Sequence, residues 1–178
     1  YKSFLNKKLD NKIIYNIPHH LDFRFNNIQK IKISEIKLIY FGGLFYKNEF
    51  NCYFIKDLIN DYNLHYIKWD SNKNIIDYIK KISEFNVHFD IRNKNDINYK
   101  IKPGTKAAVA SAFNSIIITT KHPGAYELLG PNYPYYCDCN YESVKNIINL
   151  VKETFNKELW NKALNILKDV KEHLNINN

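Results

Sequence analysis

The sequence lacks methionine, has few cysteines and contains no long apolar run. Its three cysteines (Cys52, Cys137 and Cys139) include no Cys-x-x-Cys pair and are too few for a disulfide framework. No Asn-x-Ser/Thr sequon occurs either, and both absences favour a reducing compartment, so we predict a cytoplasmic protein. No stretch of about 18 apolar residues occurs, so the sequence predicts no membrane-spanning helix. Because the chain begins at Tyr1 and has no methionine, we expect it to be part of a longer protein.

The residues that are abundant predict a folded domain with a locally basic surface. Hydrophobic residues make up 45% of the 178-residue chain and aromatic residues 15%, which is typical of a protein with a buried core. The net charge is +8, and +4 of it lies between Arg92 and Lys106, where five cations accompany the single carboxylate of Asp96. Charge concentrated on one loop favours a small anionic ligand. A nucleic-acid-binding module, which usually spreads its charge along a face, is the alternative.

Short apolar runs alternate with helical patterns along the chain. Runs typical of strands are Ile36–Phe41, Leu64–Trp69, Val87–Ile91, Ile116–Thr120 and an edge-like Tyr133–Cys137. Apolar residues recur at helical spacing between the strands, and two amphipathic helices, Val144–Phe155 and Leu159–Leu174, close the chain. This alternation predicts an α/β fold, a Rossmann-like parallel sheet with helices on both faces.

Finer features of the helices and loops also follow from the sequence. We expect Asp70 or Asn72 to cap the second helix, because these side chains can accept hydrogen bonds from the first helical N–H groups. An alanine-rich helix at about residues 105–113 should end at Asn114, which tolerates a left-handed conformation. The basic segment at residues 92–104 is predicted to be a loop.

Ligands of parallel α/β sheets bind outside the carboxyl ends of the strands. The segment from Lys102 to Gly130 should bring two helix N-termini to that edge, each with cationic side chains beside it. Backbone N–H groups and the positive end of a helix dipole favour bound anions, above all phosphate. The sequence therefore predicts an anion site at this edge of the sheet.

Four segments, in this order, resemble the C-terminal, donor-binding half of glycosyltransferases with the GT-B fold. Pro18–Phe25 is similar to the "PNGVD…RF" crossover, and Ile39–Leu44 with Lys47 to the "VGRL…KG" strand and loop. Lys102–Thr120 is similar to the "KP…K…A.A.G.PVI.T" unit, and Pro123–Gly130 to "GG..E.vG". The resemblance covers nearly the whole chain. It implies that residues 1–30 are the end of an N-terminal domain and the interdomain crossover, and that residues 31–178 are the Rossmann-like donor-binding domain.

The resemblance implies an enzyme that transfers a sugar from a nucleotide-diphosphate donor to an acceptor, which the sequence does not identify. The catalytic base and the acceptor pocket would lie on the N-terminal half of the same enzyme, so we expect this chain alone to be inactive. Peripheral membrane contact by the full-length protein stays open. Because N–H dipoles and cations can neutralise the diphosphate, we expect no metal and no other cofactor, and we expect no nucleic-acid partner.

The resemblance and the local chemistry together give ten candidate donor-binding residues. They are Gly42 and Gly43 in the first turn, the cations Arg92, Lys102 and Lys106, the helix-start residues Gly104 and Thr105, and His122, Gly124 and Glu127 around the second turn. Each candidate has a simpler alternative. The glycines could only form turns, the lysines could be solvated, and Glu127 could only complement a helix dipole.

Two further sets of residues limit the prediction. His19, His20 and Asp22 have no other clustered ligand nearby in the sequence, so they do not indicate a metal site. The Glu-x7-Glu pair of many retaining members of the family is absent, because Ile101 and Val109 occupy its two positions. The ribose contact and the stereochemical course of the reaction are therefore both open.

Overall fold

The computed structural model describes residues 24–25, 33–42, 54–68, 70, 72 and 74–174. These residues form a five-stranded sheet of strands β1 (Leu38–Phe41), β2 (His65–Ile67), β3 (Val87–Asp90), β4 (Ile116–Thr120) and β5 (Tyr136–Cys137). The helices are α1 (Ile55–Tyr62), α2 (Ile75–Ser83), α3 (Ile97–Ile101), α4 (Thr105–Ala112), α5 (Pro123–Leu129), α6 (Tyr141–Thr154) and α7 (Glu158–Leu174). The strand order is β2-β1-β3-β4-β5 and every pairing is parallel, which confirms the predicted Rossmann-like α/β sheet.

Helices cover both faces of the sheet. Successive residues of β1 point to opposite sides, so they pack against helices on different faces. Tyr40 belongs to one core cluster together with Leu58 of α1. Its neighbour Phe41 belongs to a second cluster together with Ile79 of α2. The two helices that follow β1 and β2 therefore lie on opposite faces.

The centre of the sheet is formed by β3 and β4, in which every residue is buried. Strands covered on both faces have no need of a polar side, which explains the apolar run Ile116–Ile118 in β4. Burial of a side chain such as Phe89 or Ile118 stabilises the fold by about 1.5–3 kcal/mol. These two strands thus fix the frame from which the neighbouring loops emerge.

The order of the strands reverses between β1 and β3. From β1 the chain passes outward to β2, then returns across β1 and continues through β3, β4 and β5 in one direction. This reversal is the switch point of the sheet. In open α/β sheets, ligands bind in a crevice outside the carboxyl ends of the strands at such a point, here between β1 and β3.

The segment at residues 92–104 differs from the sequence prediction, because it contains the short helix α3. Five residues give too few turns for a hydrophobic period to be visible in the sequence. The cap of α2 also differs. Asn74 caps this helix by accepting a hydrogen bond of 2.8 Å from the N–H of Ile76, whereas Asp70 accepts one from the N–H of Asn72. The predicted left-handed conformation of Asn114 is confirmed by its φ of 49°.

Strand β5 is shorter than the predicted strand Tyr133–Cys137. The side chain of Tyr133 is buried, and its hydroxyl donates to the carbonyl of Ile117 at 2.7 Å and accepts from the N–H of the same residue at 2.9 Å. Tyr133 thus contacts β4 through its side chain instead of pairing its backbone along the strand. Ladder pairing begins at Tyr136.

Little of the predicted crossover falls within the described residues. Of residues 1–30 the structure describes Arg24 and Phe25. Phe25 packs edge-on against Phe113, with ring centroids 5.3 Å apart, and so contacts the sheet domain. None of the described helices is both long enough and apolar enough to cross a membrane.

Candidate anion-binding site

The side chain of Lys106 reaches from the first turn of α4 to the carboxyl end of β1. Its Nζ lies 4.1 Å from the centroid of the Tyr40 ring and 5.4 Å from that of Phe41. A Cβ atom built on Gly42 would lie 3.9 Å from Cε of Lys106, which is ordinary contact. Among the residues that the structure describes, Lys106 forms no ion pair with a carboxylate. A cation held against two aromatic rings therefore lies at the switch point of the sheet.

The position of Lys106 makes its positive charge costly. Burial lowers the pKa of its ammonium group from 10.5 to about 8; the Asp90 carboxylate opposes this shift, and the charges of Arg92 and Lys102 add to it. At pH 7 the group is still mostly protonated. An anionic ligand beside it would restore the solvation that burial removes.

Gly42 begins the loop that leaves β1. Its φ of 104° lies in the left-handed region that favours glycine. Its N–H donates to the carbonyl of Ile67 at 3.0 Å, and its carbonyl accepts from the hydroxyl of Tyr66 at 3.1 Å. Strand β2 thus fixes the first residue of this loop. Gly43, the second candidate here, lies outside the described residues.

The first turn of α4 faces the same crevice. Gly104 stands at the cap position and no side chain caps the helix, so the first N–H groups have no side-chain acceptor there. Thr105, the first helical residue, is exposed. Lys106 follows it, so an uncapped helix start and a cation are adjacent. An anion can accept hydrogen bonds from both.

Asp90 is a buried carboxylate at the end of β3, and two side chains donate to it. The guanidinium of Arg92 donates from Nε to Oδ1 at 3.0 Å and from Nη2 to Oδ2 at 2.7 Å. Nε2 of His122 lies 3.0 Å from Oδ2. Burial alone would raise the pKa of Asp90, but the hydrogen bond from His122 and the charges of Lys106 and Arg92 outweigh it and lower that pKa. Asp90 is therefore ionised in the folded protein.

Arg92 connects this carboxylate to the loop that begins α4. Its Nη1 donates to the carbonyl of Lys102 and its Nη2 to that of Pro103, both at 3.0 Å. Its backbone N–H donates to the hydroxyl of Thr120 at 3.0 Å. The sequence prediction made Arg92 a phosphate-binding cation. In the structure its guanidinium holds the loop that carries the helix start, and its contact with a phosphate stays a prediction.

His122 is completely buried at the start of α5. Its Nδ1 accepts a hydrogen bond of 3.2 Å from the N–H of Ala125 and so caps the helix. Because Nδ1 is an acceptor, the hydrogen-bond network assigns the proton to Nε2, which donates to Asp90. The protein itself uses both ring nitrogens. These contacts give His122 a structural role, and its contact with a ligand stays a prediction.

Gly104 and Gly124 lie where two loops touch. Pro103 and Gly124 form an isolated parallel bridge between the loops that precede α4 and α5. A Cβ atom on Gly124 would lie 2.6 Å from the nitrogen of Gly104, and one on Gly104 would overlap the carbonyl of Gly124. Close approach of the two backbones accounts for both glycines.

Three of the remaining candidates are exposed. Lys102 and Thr105 lie around the helix start, and Glu127 lies further along α5. Gly42 and Lys106 lie together at the carboxyl end of β1, and ligand contacts by Lys102, Thr105 and Glu127 stay predictions. The loops around this site are held in place by Asp90, Arg92, Gly104, His122 and Gly124.

Asp90 is not among the candidates that the sequence predicts, yet it binds two of them, Arg92 and His122. In the sequence it is one acidic residue within the apolar run Val87–Ile91, and that run predicts only a strand. The available signal was its position, because a carboxylate that ends a buried strand points to the ligand edge of a parallel sheet. Within the described residues, no group of three or more His, Cys, Asp or Glu side chains could hold a metal ion. His19, His20 and Asp22 lie outside those residues.

A scan of the sequence against models of protein families finds no match, and a search of curated proteins finds none either.

Proposed function

We propose that the crevice between β1 and β3 binds the diphosphate of a nucleotide-sugar donor. On this proposal the chain is the donor-binding half of a GT-B glycosyltransferase. The observation that carries it is the placement of Lys106. Its side chain starts in the uncapped first turn of α4, passes Gly42 and brings the ammonium group against the ring of Tyr40, at the switch point of the sheet.

The electrostatics of this placement favour a ligand with concentrated negative charge. Charge-assisted hydrogen bonds contribute about 1.5–3 kcal/mol each, and more where water is excluded. In glycosyl transfer, negative charge increases on the departing diphosphate. Fixed N–H dipoles and a cation at that point therefore stabilise the transition state more than the bound donor.

The resemblance found in the sequence supports the same ligand. The segments Lys102–Thr120 and Pro123–Gly130 carry two of the four resembling motifs, and the Pro103–Gly124 bridge joins them at the carboxyl edge. The third, Ile39–Leu44, supplies Tyr40 and Gly42 on the other side of the crevice. Motifs that are distant in sequence thus surround one site.

Thermal unfolding in the presence of nucleotides tests the proposal. The chain would be screened against the UDP, GDP, CMP, ADP and dTDP sugars and the matching free nucleotides. We expect one nucleotide to raise the melting temperature, because a ligand that binds only the folded state stabilises it. Lys106→Met should abolish the shift. Lys168→Ala, which removes the same charge from an exposed site on α7, should retain it.

The nucleic-acid alternative predicts a different pattern. If no nucleotide shifts the melting temperature, while DNA or RNA binds with an affinity that falls steeply as salt is added, the chain is a basic nucleic-acid-binding module. In that case the donor proposal is wrong.

A further inference from the structure

We propose that Asp90 is a positioning residue of the anion site. Its carboxylate holds the loop that begins α4 through Arg92, anchors the start of α5 through His122, and supplies the countercharge behind Lys106. This inference rests on the proposed function, because it explains how the chain keeps a diphosphate site assembled.

The first connection is mechanical. Asp90 fixes the guanidinium of Arg92 through two hydrogen bonds, and the same guanidinium binds the carbonyls of Lys102 and Pro103. Those carbonyls immediately precede Gly104, where the helix start is presented. A shift of the Arg92 side chain would therefore move the N–H groups and Lys106 together.

The second connection runs to α5. His122 donates to Asp90 from one ring nitrogen and caps α5 with the other. The loop before α5 in turn touches the loop before α4 through the Pro103–Gly124 bridge. One buried carboxylate therefore fixes both loops at the carboxyl edge of β3 and β4.

The third connection is electrostatic and gives Asp90 more than a scaffolding role. Among the described residues, the charged groups that act on Lys106 are Asp90, Arg92 and Lys102, and the rings of Tyr40 and Phe41 contact its ammonium group from β1. Asp90 is the one of the three whose charge favours the protonated form. Without Asp90, burial and the charges of Arg92 and Lys102 would lower the pKa of Lys106 further.

The pH dependence of pyrophosphate binding separates this role from a purely structural one. Inorganic pyrophosphate would be titrated calorimetrically into the chain between pH 6.5 and 9.5. Wild-type affinity should begin to fall near pH 8, where Lys106 loses its proton. In Asp90→Asn, which keeps the size of the side chain, the fall should begin about one pH unit lower, as expected when a nearby opposite charge is removed. Ionisation of pyrophosphate itself affects every variant equally.

His122→Asn provides the matched comparison. It breaks the second connection but leaves the Asp90 charge in place. It should therefore weaken binding or stability, while the pH at which affinity for pyrophosphate begins to fall should stay at the wild-type value. If Asp90→Asn remains folded and its affinity falls at the same pH as in the wild type, the inference is wrong and Asp90 is only a structural residue.

Arg92→Gln keeps the inference testable even if Asp90→Asn does not fold. It removes a cation that disfavours protonated Lys106, so the fall in affinity should move to higher pH while affinity at pH 7 drops severalfold. Unchanged affinity at pH 7 contradicts the inference, because the loop before α4 would then keep its position without the connection through Arg92 to Asp90. If the wild-type chain binds neither pyrophosphate nor any nucleoside diphosphate, the proposed function itself fails and the inference fails with it.

Discussion

Gly104 and Gly124 approach so closely that neither position has room for a Cβ atom. The loops before α4 and α5 meet at this contact, and the carbonyl and N–H groups there leave no space for a side chain. The contact explains why two turns that are distant in sequence form one edge of the candidate site.

Substitution of Gly104 by alanine should destabilise the fold. The added methyl group would overlap the backbone of Gly124, which cannot move without displacing the start of α5. We expect a loss of about 2–3 kcal/mol in the free energy of unfolding, measured by urea denaturation. Glu127→Ala, at an exposed position in α5, should change it by no more than about 0.5 kcal/mol. An unaffected Gly104→Ala variant would show that the two loops do not touch.

Two substitutions of His122 should distinguish the stability gained from capping α5 from that gained by the hydrogen bond to Asp90. His122→Ala removes the cap of α5 and the donor to Asp90 and also leaves a cavity, so we expect a loss of about 3 kcal/mol. Asparagine can still cap a helix but is too short to reach Asp90. His122→Asn should therefore recover about 1 kcal/mol of that loss in the same denaturation measurement. Equal stability of the two variants would contradict a capping role.

Asp90 should make stability sensitive to acid. Its pKa is lowered in the folded protein, so its contribution is fully present above the unfolded value of about 3.9 and is lost as pH falls toward the lower folded value. The free energy of unfolding of the wild type should therefore decline faster below about pH 4 than that of Asp90→Asn. Parallel acid profiles of the two proteins would show that Asp90 has no lowered pKa.

Lys106 should reduce stability near neutral pH. The pKa of its ammonium group is about 8 in the folded protein and 10.5 for an unperturbed lysine, so between these values the unfolded chain binds more protons and stability rises with pH. Lys106→Met removes this dependence and should be more stable than the wild type at pH 7 by about 1 kcal/mol. The stability of Lys106→Met minus that of the wild type, measured from pH 7 to 10.5, should fall steadily and change sign, because a pKa of about 8 instead of 10.5 corresponds to about 3 kcal/mol. A constant difference would contradict the lowered pKa.

Much of the fold could be predicted because the strands are short apolar runs separated by helical periods. Ile116–Thr120 is buried on both faces, and its sequence shows this directly. Helix α3 could not be predicted, because five residues show no period. The predicted strand β5 is too long, because the apolar character of Tyr133 reflects a buried side chain whose hydroxyl bonds to β4 and not strand pairing.

The edge of the sheet that carries the candidate site could also be predicted, but the contacts that each residue makes there could not. Sequence shows that Arg92 and Lys106 both follow β3 and both carry charge. It does not show that Asp90 points at Arg92, which depends on how β3, β4 and the intervening loop pack in three dimensions. The same packing buries His122 and leaves Lys106 beside Tyr40.

The most direct measurement of the central claim is calorimetric titration of nucleoside diphosphates into the wild-type chain and Lys106→Met at pH 7. We predict that one nucleoside diphosphate binds the wild type and that Lys106→Met, though folded and at least as stable, binds it about 10- to 100-fold more weakly, the loss expected for one charge-assisted contact. Equal affinity of the two proteins, or no binding by the wild type, would contradict the assignment of this crevice as a donor diphosphate site.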